Sequence, residues 1–205
     1  TTGMMRRRWI RPWVGLQWKY RRASGRRQVP REAGMAKKIA VLLDEMVNEH
    51  EFIYPYYRLK EAGFESVSVA AEKRVYKGKY GVPFMPDVAI ADVIPGEFDG
   101  VIVPGGYAPD NLRRIKAILS LVREMNDKGK LVAMICHAGW VGISAGIIQG
   151  RKLTSTVAIK DDMVNAGADW VDQAVVVQGN LITSRGPADL PDFMREVLKF
   201  LSAGT

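Results

Sequence analysis

The sequence predicts an α/β fold, a three-layer α/β/α sandwich around a mostly parallel sheet. Three observations lead there. Short apolar runs recur at residues 39–43, 100–103 and 131–135, with Val67-Ser68-Val69-Ala70 as a further strand, as expected of a sheet covered on both faces. Stretches of helical period separate these runs. The alternation of strand, helix and strand requires crossovers, and hence a parallel sheet between two helical layers.

Taken in order, the run at 39–43 is the first strand. Residues 52–62 follow with helical period, Pro55 in the first turn and Gly63 at the stop position. Strand two covers 67–70. Residues 75–95 hold Lys77-Gly78-Lys79-Tyr80-Gly81 with Pro83, Pro86 and Pro95, and read as a hairpin or an irregular excursion. Strand three, 100–103, ends in Pro104-Gly105-Gly106. Residues 111–127 predict one long amphipathic helix, with Ile115, Ile118, Leu119, Val122 and Met125 on a single stripe. Strand four, 131–135, feeds Cys136-His137, and the small residues at 138–146 open another helix. A short helix near 160–166, a hairpin over 174–183 with a Gly179-Asn180 turn, and a last helix from about 188 to 202 complete the chain. In such sheets the active crevice lies beyond the carboxyl ends of the strands. Leu43, Val103 and Ile135 stand at three of those ends.

Composition narrows the function classes. The 205 residues, 47% hydrophobic, are enough for one domain with a full core. No run approaches the ~18–20 apolar residues of a membrane span. A single cysteine forms no internal disulfide, so nothing points to an oxidising compartment, and a cytoplasmic location is expected. One cysteine and two histidines without C-x-x-C or H-E-x-x-H spacing argue against a zinc site. His50 reads as a solvated histidine on a loop.

The net charge of +8 belongs to one end. Residues 1–34 hold ten Lys or Arg against the single Glu32, a net +9, so residues 35–205 carry −1. This basic stretch, with Trp9, Trp13 and Trp18, has no sustained apolar period and reads as a disordered tail. Three explanations compete: an arm for nucleic acid or anionic lipid, an Arg-rich targeting segment, or upstream sequence with the natural start at Met35. We adopt the third. The globular domain is then 35–205, and neither a membrane nor, outside the tail, a nucleic acid is an expected partner.

Cys136 is the most informative residue. A thiol on a sharp strand-to-helix turn sits where unpaired helix amides point, and those amides favour the nucleophilic thiolate. The competing reading is a buried structural cysteine, the commonest fate of a free one. The His137 amide lies in the same turn. Gly105-Gly106, at a second strand end, lets another backbone amide approach, because glycine carries no obstructing side chain. An ordinary strand-to-helix turn explains that pair equally well locally. Taken alone, Glu51 is an acid placed by the dipole of the first helix, Asp110 is a natural N-cap, and Trp140 is a core tryptophan.

Four segments in order change the weighting. These are Leu43-Asp44-Glu45 with Glu51 through Gly63, Val101 through Asp110, the Cys136-His137 elbow, and Ile159 through Gly167. Together they resemble the DJ-1/PfpI superfamily, most closely its PfpI-like intracellular cysteine peptidase branch, over residues 37–201. The resemblance implies a flavodoxin-like, class I glutamine amidotransferase-like fold and a cofactor-independent cysteine enzyme. Cys136 is the implied nucleophile, with the amides of Gly106 and His137 as oxyanion donors. Glu51, preferred over Glu49 for its spacing to Tyr54-Pro55, is the implied proton partner of the thiol, with a raised pKa.

The same resemblance implies an acid from a neighbouring subunit just after Gly-Gly-x-Ala-Pro, which here is Asp110 rather than the usual glutamate. A dimer or hexamer is therefore expected. The elbow reads Cys136-His137-Ala138-Gly139-Trp140 where Cys-His-Gly-Pro is commoner, which makes Trp140 a candidate pocket residue. The implied substrates are peptides or small 2-oxoaldehydes such as methylglyoxal, including early glycation adducts. A redox-sensing or chaperone-like stress protein, with Cys136 oxidised rather than turned over, is the alternative.

Overall fold

The computed structural model describes residues 36–203. The readings of the basic tail therefore lie outside the described residues. The strands are β1 (Lys38–Leu42), β2 (Glu65–Ala70), β3 (Tyr76–Lys77), β4 (Pro83–Phe84), β5 (Val88–Ala89), β6 (Gly100–Val103), β7 (Leu131–Ile135), β8 (Lys152–Leu153), β9 (Asp169–Trp170), β10 (Val175–Gln178) and β11 (Leu181–Ser184). The helices are α1 (Glu49–Glu61), α2 (Ala108–Leu112), α3 (Lys116–Asp127), α4 (Gly139–Ala145), α5 (Lys160–Asn165) and α6 (Leu190–Ser202).

Seven strands form the central sheet in the order β10-β11-β7-β6-β1-β2-β5. Every pairing is parallel except that of β10 with β11. The four predicted strand runs became β1, β2, β6 and β7. The last two are buried along their whole length, as their unbroken apolar sequence requires. Helices α1 and α6 pack on one another and on β1, β2, β7 and β11, whereas α3 and α4 pack together beside β6 and β7. The three layers follow from that division. Val41 stands opposite Ile102, and Ile102 opposite Ala133, so the carboxyl ends of β1, β6 and β7 lie level and adjacent. Among the described residues no helix is long and apolar enough to cross a membrane.

Several boundaries differ from expectation. Helix α1 starts three residues earlier, capped by Asn48, whose side chain accepts the His50 amide at 3.1 Å. His50 is therefore helical, not on a loop, although exposed as expected. The predicted helix over 111–127 is two helices. Pro109 near the start of α2 favours an early beginning, and Ile115 is extended, with ψ 104°, as the N-cap of α3. The excursion after β2 contains the β3–β4 hairpin and then β5, which adds an edge strand to the sheet. The β10–β11 hairpin turns at Gly179, φ +62°, where the Gly-Asn signal placed it.

The small β8–β9 pair was not anticipated. It matters because the segment after β8 passes the elbow. The Thr154 amide donates to Thr183 Oγ1 on β11 at 2.9 Å, and the Thr156 amide donates to the Cys136 carbonyl at 3.2 Å. Thr183→Val keeps the shape but leaves a buried N–H unpaired. A loss of roughly 2 kcal/mol is expected, read as a lower denaturant midpoint at unchanged m.

Candidate active site

The three level strand ends bring their loops into one cluster. Cys136 follows β7 directly with φ +62°, a left-handed conformation that costs an L-residue about 1–2 kcal/mol. A turn of 3-10 helix over Cys136–Ala138 then leads into α4. The strained turn is packed from the β6 side. A Cβ placed on Gly105 would lie 2.6 Å from Cys136 Cβ, 2.6 Å from Glu51 Oε2 and 3.0 Å from the His137 nitrogen. Gly106 has φ +75° and leaves even less room, 2.4 Å to the Met46 carbonyl oxygen. These two glycines are required by close approach and positive φ, so the reading of an ordinary turn is too weak.

The loop after β1 is clasped on both sides. Towards β6, the Asn48 amide donates to the Gly105 carbonyl at 3.2 Å and the Tyr107 amide to the Met46 carbonyl at 2.9 Å. Towards the β3–β4 hairpin, the Met46 amide donates to the Lys77 carbonyl at 2.7 Å and the Lys79 amide to the Val47 carbonyl at 2.8 Å. Glu45 Oε2 accepts the Lys77 amide at 2.8 Å, and its Oε1 pairs with Arg74 at 2.6 Å.

Glu49 and Glu51 divide between these two sides. Glu49 Oε1 accepts the Tyr80 amide at 2.6 Å and holds the hairpin. Glu51 is fully buried, and its Oε2 accepts the Gly105 amide at 2.7 Å. Its Oε1 is buried without a partner of good hydrogen-bond geometry, while the Cys136 thiol is close enough to act on the carboxyl. Burial raises the Glu51 pKa to about 7, against the lowering by the Gly105 amide, the thiol and Lys79. The structure therefore selects Glu51, not Glu49, as the partner of the thiol.

The electrostatics of Cys136 differ from the expectation of a ready thiolate. The Gly106 and His137 amides do point at the sulfur and favour its anion. Burial and the Glu51 carboxylate outweigh them and push the thiol up to about 12. The pair gives up its first proton near pH 7, and above that the two groups together hold one proton and one negative charge. Thiolate forms when that proton sits on Glu51, since a neutral carboxylic acid no longer repels the sulfur and becomes a donor to it. His137 Nδ1 lies 3.2 Å from Cys136 Sγ. Burial, and secondarily Lys79, lower the pKa of this imidazole, so the ring is held neutral.

The other candidates fall around the mouth. Trp140 is half-buried rather than a core residue. Its ring lies 5.2 Å from that of His137, and its indole N–H donates to Asp162 at 2.7 Å. The Tyr107 ring stacks against His137 as well, with centroids 6.2 Å apart. Asp110 is not an N-cap, because α2 begins two residues before it. Its half-exposed carboxylate pairs with Arg114 one turn on, and among the described residues that arginine, not His137, is its side-chain partner. Sequence reasoning missed Tyr107, Lys79 and the clamping role of Glu49; only the adjacency of Tyr107 to Gly-Gly offered a signal.

The comparisons show the family. The DJ-1/PfpI family profile matches residues 37–200. Deglycase PfpI of Pyrococcus furiosus is 45% identical over 164 residues, 80% of this chain and 99% of its own length. Protein/nucleic acid deglycase 2 of Escherichia coli is 42% identical over 172 residues, covering 82% and 100%. The crystal structure of Drosophila melanogaster DJ-1beta superposes with a TM-score of 0.77 at 32% identity, covering 82% of this chain and 91% of that one. With a flavodoxin-like sheet, a Cys-His elbow and a buried glutamate at the cysteine, this chain belongs to the DJ-1/PfpI family.

Proposed function

We propose that this chain is a cofactor-independent cysteine enzyme acting on carbonyl substrates, in the first place small 2-oxoaldehydes and the early glycation adducts they form. One observation carries the reading. The Cys136 sulfur is enclosed by the Glu51 carboxyl, the His137 ring and the amides of Gly106 and His137. Those groups supply a nucleophile, a proton carrier and two oxyanion donors at one point. The names of the two deglycase relatives support the substrate class.

In the proposed reaction the thiolate adds to the aldehyde carbon, and the carbonyl oxygen takes up negative charge facing the two amides. Glu51, having received the thiol proton, protonates that oxygen to give a hemithioacetal. The carboxylate so formed removes the hydrogen from the former aldehyde carbon, a proton returns to the adjacent keto carbon, and the hemithioacetal hydroxyl proton passes to the former keto oxygen. A thioester of the hydroxy acid remains. Water cleaves it, sulfur leaves as thiolate, and the net change is addition of water with an internal hydrogen shift. A pKa of about 7 suits a group that must both give and take that proton at neutral pH.

Intracellular peptide hydrolysis through an acyl-enzyme uses the same sulfur and amides, but leaves the hydrogen-shifting carboxyl without a role. For a peptidase or for the aldehyde enzyme, the acid completing His137 is proposed to be Asp110 of a second copy, in a dimer or hexamer; its half-exposed carboxylate is compatible with that. A thiol that must stay reduced to act suits the cytoplasm. The test is methylglyoxal consumption with lactate formation, comparing the intact protein with Cys136→Ala. Turnover lost in the variant is expected. Equal turnover in both overturns the reading, and cleavage of peptides without aldehyde turnover replaces it with peptide hydrolysis. The oxidation-sensing alternative is favoured instead if neither activity appears and peroxide modifies Cys136 selectively.

A further inference from the structure

We infer that Asp162, on α5, is a positioning residue: through the Trp140 ring it holds the His137 imidazole against the Cys136 sulfur. Asp162 stands in the last of the four sequence motifs, Ile159 through Gly167, and this part of the chain is docked on the elbow at separate points. The Thr156 amide donates to the Cys136 carbonyl at 3.2 Å. Ile159 and Met163, both buried, lie against the first residue of α4. A Cβ on Gly139 would stand 2.6 Å from Met163 Sδ and 3.0 Å from Ile159 Cδ1. Asp162, next to Met163, then accepts the Trp140 indole N–H at 2.7 Å.

The His137 ring depends on its neighbours for its orientation. Its Nδ1 lies 3.2 Å from Cys136 Sγ, and among the described residues of one copy no hydrogen bond holds the other ring nitrogen. The last side-chain torsion of a histidine has broad minima of its own, so packing must select the ring plane. Trp140 supplies that packing, with ring centroids 5.2 Å apart and planes tilted by 58°. Tyr107 stands farther off, at 6.2 Å, and is more than half exposed. Two elements hold Trp140 in turn. The α5 carboxylate takes its indole N–H, and the Arg113 guanidinium, anchored on Ser144 Oγ at 3.0 Å, lies 5.8 Å over its ring. The hydrogen bond is the directional contact of the two and sets how the indole turns.

A ring fixed beside the sulfur before substrate arrives need not be ordered during the reaction. What His137 does in turnover rests on the reaction proposed above; its placement by Asp162 does not. Asp162 has no other side-chain partner among the described residues. It does lie in the first turn of α5, where a carboxylate favours the helix. Asparagine removes that charge while keeping an oxygen for the indole, and so separates helix stability from positioning.

The experiment compares the intact protein with Asp162→Ala, Asp162→Asn, Trp140→Phe and the double variant Trp140→Phe/Asp162→Ala. The chain has two histidines, so the His137 ring protons are the proton resonances that His137→Gln removes. The Trp140 ring current acts on them. In Asp162→Ala they are expected to shift, and in Asp162→Asn to stay where they are in the intact protein. In the Trp140→Phe background, which lacks the indole N–H, loss of Asp162 should shift nothing further. The kcat for methylglyoxal is expected to fall about fivefold in Asp162→Ala, the usual worth of one hydrogen bond, with KM changed by less than about twofold. Asparagine restores it. Unshifted His137 resonances in Asp162→Ala overturn the inference. So does asparagine behaving as alanine does, which leaves Asp162 only its charge on α5, or an equal effect of losing Asp162 with and without the indole. A protein inert towards methylglyoxal sinks the proposed reaction, while the resonances still decide the placement of His137.

Discussion

Glu51→Gln is expected to lower turnover of a 2-oxoaldehyde by 10²–10⁴-fold, the usual worth of a positioned acid–base group, while making the protein more stable. The two effects share one cause. In the unfolded chain this carboxyl ionises near its ordinary 4.5, and in the fold near 7, chiefly because it is buried. The folded state therefore holds the proton more tightly. Its stability falls as pH rises from 4.5 to 7 and levels off above, a cost of about 3 kcal/mol when complete. Glutamine keeps an oxygen for the Gly105 amide and carries no charge to desolvate. At pH 8 the variant should gain up to about 3 kcal/mol in denaturant unfolding, shrinking below about 0.5 kcal/mol at pH 4.5. A variant no more stable at pH 8 than at pH 4.5, relative to the intact protein, would contradict the buried carboxylate. The alkylation profile gives the sign independently. In the intact protein the rate of Cys136 modification climbs to about pH 7 and flattens, because the pair has then lost the one proton it gives up easily. Without the carboxyl the break disappears, and the rate goes on rising towards the pKa of the thiol itself.

The same carboxyl marks where the sequence was legible and where it was not. Strands β1, β6 and β7 were readable because burial on both faces leaves a continuous apolar run, and the elbow was readable because a lone Cys-His interrupts one such run. Once a helix is expected from about residue 50, its geometry separates the two acids. Residues two apart differ by about 200° around the axis, so Glu49 and Glu51 must face opposite ways. The sequence does not say which one faces the sulfur. That depends on the hairpin standing on one side of α1 and Gly105 on the other.

The break between α2 and α3 was hidden because Ile115 fits the apolar period of a continuous helix. Lys79 was hidden for a more general reason. It comes from an excursion with no period of its own, fastened to the loop after β1 by backbone hydrogen bonds that any residue types can make. The ordinary tendency of an elbow thiol towards low pKa also failed as a guide. Helix-end amides are local and visible in sequence, but desolvation and the facing carboxylate are tertiary and outweigh them.

Gly105→Ala is the substitution expected to separate the site from the fold most cleanly. The added methyl would stand 2.6 Å from both Cys136 Cβ and Glu51 Oε2, inside any contact that real atoms tolerate. Neither neighbour is free to give. Cys136 is fixed by its left-handed turn and by the bond from Thr156 to its carbonyl, and Glu51 by the amide of Gly105 itself. The carboxyl must then swing off that amide, or the elbow must shift. Either breaks the alignment of proton carrier, sulfur and oxyanion donors, for which a 1 Å error costs about 10²-fold. Turnover should fall by at least that factor, with a stability loss of about 1–3 kcal/mol from overpacking. Gly63→Ala is the matching control. Gly63 also has positive φ, +85°, but a Cβ there meets nothing within 4 Å. It should lose about 1–2 kcal/mol to backbone strain alone and keep its activity. Equal stability losses with unequal activities would locate the effect of Gly105 in the site. If Gly105→Ala instead turned over aldehyde at the intact rate, the close approach of β6 to the elbow would not be what aligns Glu51 with Cys136.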